Sequence, residues 1–342
     1  MVFLYGGGIF IKKLYIIGLI IVISLAFISK QTTDITYYKI NNIADNTIQN
    51  KEPMDDEIIN EPEEKDEKIL KAENFLYKLH QEEIKEINFT AYQNLNKNYS
   101  FIYFITATDP KITEALVSIK NKNTRPGITR DKINYIVIHD TGNTSASATA
   151  KAHMNYITTS NVNKSWHYTI EENTIYQHIP DNEVAYHAGD GTRDIGEKWY
   201  SETYKKQNNG GGNLRGIGIE TCVNSGSDYL KTINSTAKLS AYLLYKYNLT
   251  IDELKTHYDF SGKECPYLLI KDDYFELLKT WTSYYLEAFE VFKDVNVSYI
   301  SKSTNLDKDG FVTNTADKKV KYQVSLEYQG KKYIYYFETQ IK

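Results

Sequence analysis

Cysteine is almost missing from this chain: Cys222 and Cys265 are the only two in 342 residues. That excludes a small scaffold stapled by several disulfides and leaves at most one bridge, Cys222 to Cys265. Neither cysteine lies near the N-terminus, so no lipid-attachment cysteine follows the apolar run there. An excess of positive charge is missing too. Forty Lys and Arg stand against 44 Asp and Glu, a net charge of −4, which excludes a general nucleic-acid footprint. Long apolar stretches are confined to one place, Ile9 to Ser29, broken only by Lys12 and Lys13. Its continuous part, Leu14 to Ser29, matches a signal-peptide core in length and is slightly short for a full span. The lysines precede it, so the N-terminus should stay inside and the rest be exported. A small-residue cleavage site is absent, since the exit reads Phe27-Ile28-Ser29-Lys30. The expectation is a single-pass signal anchor over 1–30 that leaves the rest of the chain on the outer side of the cell membrane. Cleavage would make the chain secreted instead.

What is present divides the chain further. Residues 31–68 are polar, and Glu52 to Lys68 is acidic with two prolines, the composition of a solvated, disordered tether. Residues 69–125 are expected to form a small α+β region, or the N-terminal shell of the domain that follows. A helix is expected from Ile69 to Glu86, with Leu70, Phe75, Leu76, Leu79 and Ile84 as its apolar positions. Strands are expected at Ile87–Tyr92 and Tyr99–Ala107. Nothing in this region carries recognisable chemistry. The tail, 291–342, alternates at Tyr322–Tyr328 and Lys332–Phe337 around Gln329-Gly330, a hairpin signal and a small β appendage.

The informative stretch is 126–290. Ile133 to His139 is a β-branched apolar run that reads as a buried strand with His139 at its C-terminal end. Ser145 to Ile157 reads as a helix with Ser145 as a candidate N-cap. Trp166–Ile170 and Thr174–Ile179 form a hairpin around Glu171-Glu172-Asn173. Ile217 to Glu220 is another apolar strand. Ala237–Tyr247 and Tyr274–Phe289 are amphipathic helices. The order implies an α/β fold, a mixed central sheet flanked by helices.

One loop in this region stands out: Thr256-His-Tyr-Asp-Phe-Ser-Gly-Lys-Glu-Cys265-Pro266. Asp259, Ser261 and Gly262 are turn formers, so the loop can bring His257 and Cys265 to one point. That point could hold a metal, a disulfide or nothing. A catalytic zinc site needs three protein ligands and one open position. His139, at a strand end, would complete such a set with His257 and Cys265. Glu220 is out of character in its apolar strand, and an ion pair is the simplest reason for it. His80 and His153 read as surface or packing residues and His167 as structural, while His178 is undecided.

Five motifs in order carry a resemblance: Ile136-Val-Ile-His-Asp-Thr-Gly-Asn143, Trp166-His-Tyr168, Ala185-Tyr-His-Ala-Gly-Asp190, Gly216-Ile-Gly-Ile-Glu220, and Thr256-His257 through Lys263-Glu-Cys-Pro266. Together they resemble the N-acetylmuramoyl-L-alanine amidases of the amidase-2 type, which include phage endolysins and autolysins and are related to peptidoglycan recognition proteins. The likeness runs from about Asp131 to Thr282. It implies zinc (Zn2+) bound by His139, His257 and Cys265, catalytic positions at Lys263 and Glu220, and hydrolysis of the amide between N-acetylmuramic acid and L-alanine in peptidoglycan. Many relatives carry tyrosine where Trp166 stands. A phenol cannot act from that position here, which favours Glu220 as the proton-handling group. Trp166 and His187 are the candidate substrate-binding residues, His187 by match to a groove histidine. Peptidoglycan is the implied partner, with the membrane as a second one through the N-terminal segment and the catalytic domain on the cell-wall side. The alternatives are a receptor that binds peptidoglycan without cutting it and a structural zinc domain. Non-catalytic relatives commonly lack the cysteine ligand.

Overall fold

The computed structural model describes residues 35–41, 65–82, 85–92, 98–189, 211–314, 317 and 319–341. In chain order the strands are β1 Ile35–Asn41, β2 Lys85–Asn88, β3 Asn98–Phe101, β4 Ile112–Glu114, β5 Tyr135–Asp140, β6 Tyr168–Glu171, β7 Thr174–Gln177, β8 Gly216–Thr221, β9 Leu254–Thr256, β10 Asn296–Ser301, β11 Phe311–Val312, β12 Lys319–Tyr328 and β13 Lys331–Gln340. The α-helices are α1 Glu67–Gln81, α2 Ala150–Thr159, α3 Gly212–Arg215, α4 Tyr229–Lys246, α5 Tyr258–Ser261, α6 Tyr267–Lys271 and α7 Phe275–Val291.

The chain divides into two compact units, and their boundaries cut across the sequence divisions. The first contains the described residues up to Glu86, then Tyr99–Thr106 and Val291 onward. The second contains Ile87–Asn98 and Ala107–Glu290. Half of the expected α+β region, 69–125, therefore belongs with the tail strands and the other half with the central sheet.

In the first unit the sheet order is β1-β13-β12-β10. Strands β12 and β13 pair antiparallel from Lys319↔Gln340 to Tyr328↔Lys331. Gln329 and Gly330 between them have φ of 49° and 79°, the two positive values that a tight two-residue hairpin turn requires. Strand β1 adds in parallel to β13. Residues 35–41 are thus a strand where a disordered tether is expected, and the rest of that tether up to residue 64 lies outside the described residues. Helix α1 is capped by the Asp66 side chain, which accepts from the Lys68 N–H at 2.8 Å. Its buried stripe is Ile69, Ala72, Phe75, Leu76 and Leu79, the three-to-four spacing of a one-sided helix.

In the second unit the sheet order is β4-β7-β6-β8-β5-β9. Strand β5 pairs in parallel with both β8 and β9, β8 in parallel with β6, and β6 antiparallel with β7. This is the mixed central sheet flanked by helices that the element order implies. Every residue of β5 is buried, because a central parallel strand is covered on both faces, hence its unbroken apolar run. Helix α2 begins at Ala150, not at Ser145, with Thr149 as its cap accepting from Ala152 N–H at 3.2 Å. Ser145 is held in a local turn by the Asn143 side chain, which accepts its N–H at 3.1 Å, and that turn competes with the helix. Helix α4 starts eight residues before the expected Ala237, at Tyr229, capped by Asp228.

The expected single-pass membrane placement is corrected. Among the described residues no helix is long and apolar enough to cross a membrane. The longest, α4, is amphipathic and carries Lys231, Lys238 and Lys246. The apolar run over 1–30 lies outside the described residues.

Candidate metal and catalytic centre

The centre forms where β5, β8 and β9 end together. His139 occupies the penultimate position of β5, and in-register pairing sets it beside Glu220 on β8. Neighbouring residues in register project from the same face of a sheet. Strand β9 runs on the other side of β5, with Ile138 opposite Thr256. The His257 N–H donates to the Ile138 carbonyl at 3.2 Å, which brings His257 level with His139.

The loop after β9 closes on itself. Asp259 Oδ2 accepts from the Thr256 N–H at 2.7 Å and from its hydroxyl at 2.8 Å. Gly262 ends α5 in the left-handed region at φ 67°, a conformation that costs glycine little. The Tyr258 N–H donates to the Cys265 carbonyl at 3.1 Å. These contacts return the chain so that Cys265 faces the two histidines.

One ligand atom from each of His139, His257 and Cys265 falls within 4.8 Å of the others, and all three residues are buried. The two histidine Nδ1 atoms are 3.1 Å apart, and Cys265 Sγ is 3.8 Å from His139 Nδ1. Ligands bonded tetrahedrally to zinc at ~2.0–2.3 Å stand about 3.3–3.6 Å from one another, so the spacing fits. The charge states fit as well. Burial, reinforced by His257 and His187, holds His139 well below the ordinary imidazole range. Burial also lowers His257 to about 4. Both rings are neutral with a lone pair available. Burial, helped by Glu220 and Asp140, pushes the Cys265 thiol up, and a cation at this point would reverse that bias toward the thiolate. Both cysteines are free. The disulfide alternative is thereby corrected: Cys265 is turned into the histidine pair and not toward Cys222.

A cavity of about 670 Å³ opens over this point. His139, Trp166, His187, Glu220, His257 and Lys263 all line it, so the residues singled out in sequence meet at one place. Glu220 is half-buried, and among the described residues its Oε2 has no hydrogen-bond partner, so the ion pair that the sequence suggested is not seen there. Burial chiefly, with Asp140 adding, raises its carboxyl to about 8, while Lys263 pulls the other way. Trp166 is buried, with its indole N–H donated to Thr169 Oγ1 at 2.7 Å. The ring is therefore a fixed wall.

His187 is packed behind His139, with Nδ1 2.9 Å from His139 Nε2 and Nε2 3.3 Å from the Gly216 carbonyl. It reaches the cavity and also touches His139. His167 is structural: it accepts the Gly218 N–H at 3.0 Å and its other ring nitrogen lies 3.0 Å from the Glu183 carbonyl. His178 lies 2.9 Å from Thr169 Oγ1, beneath Trp166. Asp140 was not singled out in sequence, although it directly follows His139 in the first motif. Its Oδ2 accepts the Leu268 N–H at 3.1 Å, and this ties the end of β5 to α6, just beyond Cys265.

Residues 129–267 match the family described as N-acetylmuramoyl-L-alanine amidase, amidase-2. Among curated proteins, the N-acetylmuramoyl-L-alanine amidase CwlH of Bacillus subtilis (strain 168) is 35% identical over 159 residues, 46% of this chain and 56% of that protein. The amidase XlyA of the same strain is 36% identical over 162 residues, 47% of this chain and 46% of that protein. The chain thus spans about half the length of these relatives. Among solved structures, the catalytic domain of XlyA is 32% identical over 50% of this chain and 99% of its own, with a TM-score of 0.43. The part of this chain that builds the His139–His257–Cys265 cluster is a domain of the amidase-2 family.

Proposed function

We propose that this chain is a zinc-dependent N-acetylmuramoyl-L-alanine amidase, which hydrolyses the amide joining N-acetylmuramic acid to the L-alanine of the stem peptide in peptidoglycan. The observation that carries this reading is the convergence of His139, His257 and Cys265 within 4.8 Å, beside the Glu220 carboxyl, whose Oε2 is buried and, among the described residues, unpartnered. Two neutral imidazoles and a thiolate are a zinc donor set with one position left over. Bound there, the ion supplies Lewis acidity, polarising an amide carbonyl and acidifying water.

The protein's own groups supply the rest. Glu220, on the cavity wall and in register with His139, is the group placed to accept a proton from water and to pass it to the leaving amine nitrogen. Lys263, on the cavity wall, sets positive charge beside the oxygen that becomes an oxyanion. Trp166 has no hydroxyl to offer, and its locked indole orients substrate along the cleft. His187 fixes the ring of His139.

The test is mass analysis of purified peptidoglycan digested by the full-length protein, alone, with chelator, and with chelator followed by zinc. Free stem peptides beginning with L-alanine, lost with chelator and restored by zinc, are expected. Muropeptide bound but uncut under all three conditions would overturn the enzyme reading in favour of a receptor.

A further inference from the structure

The family match begins at residue 129, yet a segment well upstream belongs to the same compact unit. It is pinned residue by residue. Phe89 is buried edge-on against Tyr229 and Tyr274, with ring centroids 5.0 and 5.3 Å away. Asp272 accepts the Thr90 and Ala91 N–H groups at 2.7 and 3.0 Å and the Thr90 hydroxyl at 2.5 Å. The next residue, Tyr92, packs on Tyr267 with ring centroids 5.5 Å apart and lines a cavity together with Asp140.

Tyr92 and Tyr267 form the aromatic corner of a second cavity of about 570 Å³. This cavity shares Asp140, Thr141 and Lys263 with the first, so the two are arms of one cleft that meet at the metal-ligand cluster. The arms differ in chemistry. The first contains Ala148, Ala152 and Tyr156, with Lys164 over the Tyr156 ring, a surface for peptide side chains and carboxylates. Among the described residues no aliphatic side chain lines the second, which presents two phenol rings, Thr141, Glu264 and Lys263. A pyranose, with an apolar C–H face and a rim of hydroxyls, is the substrate portion that matches aromatic faces set among polar groups.

We infer that Tyr92, contributed from outside the family domain, is a substrate-positioning residue that holds the sugar side of the scissile amide in the second arm, while the stem peptide occupies the first. This rests on the amidase reading, because that bond has a sugar on one side and a peptide on the other.

The experiment compares full-length wild type, Tyr92→Ala and Tyr92→Phe on a disaccharide muropeptide, with the two products, the disaccharide and the free stem peptide, as inhibitors. Tyr92→Ala is expected to lower kcat/KM about tenfold through KM and to weaken inhibition by the disaccharide about tenfold, equivalent to about 1.4 kcal/mol. Inhibition by the stem peptide should be unchanged, which also shows the centre to be intact. Tyr92→Phe keeps the ring face and should lose less. The inference is overturned if peptide inhibition weakens alone or equally, if neither changes, or if the disaccharide fails to inhibit wild type. Failure of wild type to cut the muropeptide at all would instead sink the amidase reading on which it rests.

Discussion

His139 and His187 are joined ring to ring, Nε2 to Nδ1 at 2.9 Å, and the far side of His187 decides what His139 can do. The Gly216 carbonyl beside His187 Nε2 can only accept, so that nitrogen carries the proton. Burial lowers His187 to about 3, so the ring is neutral and its Nδ1 must accept. His139 then donates from Nε2, and its Nδ1 lone pair is left facing His257 and Cys265. A hydrogen-bonded partner of this kind typically contributes 10- to 100-fold in metal affinity. His187→Ala should therefore weaken zinc binding by about that factor without removing any ligand. Competition against a chromogenic chelator measures it, and an unchanged affinity would show that the tautomer is set elsewhere.

Glu220 yields two expectations that separate chemistry from stability. Glu220→Gln should keep zinc and lose turnover by at least about a hundredfold, the usual span for a positioned acid–base group. In the metal-free protein the same change should alter the pH dependence of unfolding. The carboxyl ionises near 4.5 in the unfolded chain and about 8 in the fold. Between those values the unfolded state binds fewer protons, so stability falls as pH rises and levels off above about 8. The contribution is fully present below 4.5 and on the order of a few kcal/mol, reduced by the half-buried position. Urea midpoints of both proteins from pH 4 to 9 should diverge across that window. Parallel curves would mean that Glu220 is not held protonated.

What could be read from sequence follows the range of the forces involved. Strand β5 was legible because burial on both faces writes itself as an apolar run. The Gln329-Gly330 turn was legible because its backbone angles restrict residue choice. The members of the His139–His257–Cys265 cluster were legible as residue types on strand ends and one loop. What escaped was non-local. That Asp140 would tie β5 to α6, that Tyr92 would reach the cleft, and that residues 35–41 would pair with β13 are contacts between distant segments with no local periodicity. The start of α2 was missed because Ser145 and Thr149 are both competent caps, and only the Asn143 turn decides between them.

Cys265→Ser and Lys263→Ala should fail in different ways. Serine is a poor zinc ligand, so Cys265→Ser should lose metal and activity together. Lys263 is exposed and lines the cavity without belonging to the ligand cluster. Lys263→Ala should keep its zinc and lose roughly 100- to 1,000-fold in kcat, as expected for removal of one oxyanion-stabilising group. Metal content by elemental analysis alongside turnover distinguishes the two. Loss of zinc in Lys263→Ala would move that residue from catalysis to site assembly.

Gly218 links the sheet to the centre through space alone. A Cβ added there, on buried strand β8, would come 2.7 Å from His187 Cγ and 2.8 Å from its Nδ1, closer than the ring can tolerate without moving. Gly218→Ala should therefore displace the His187 ring, and overpacking of this kind typically costs about 1–3 kcal/mol. Because His187 holds His139, the strain should reach the metal. Zinc affinity should fall in Gly218→Ala although the substituted residue touches no ligand, and the double variant Gly218→Ala/His187→Ala should regain stability while staying weak for zinc. That non-additivity, measured by urea midpoint and chelator competition on the four proteins of the cycle, separates a push transmitted through His187 from simple damage to β8. Additive losses in both quantities would mean that Gly218 and His187 act independently.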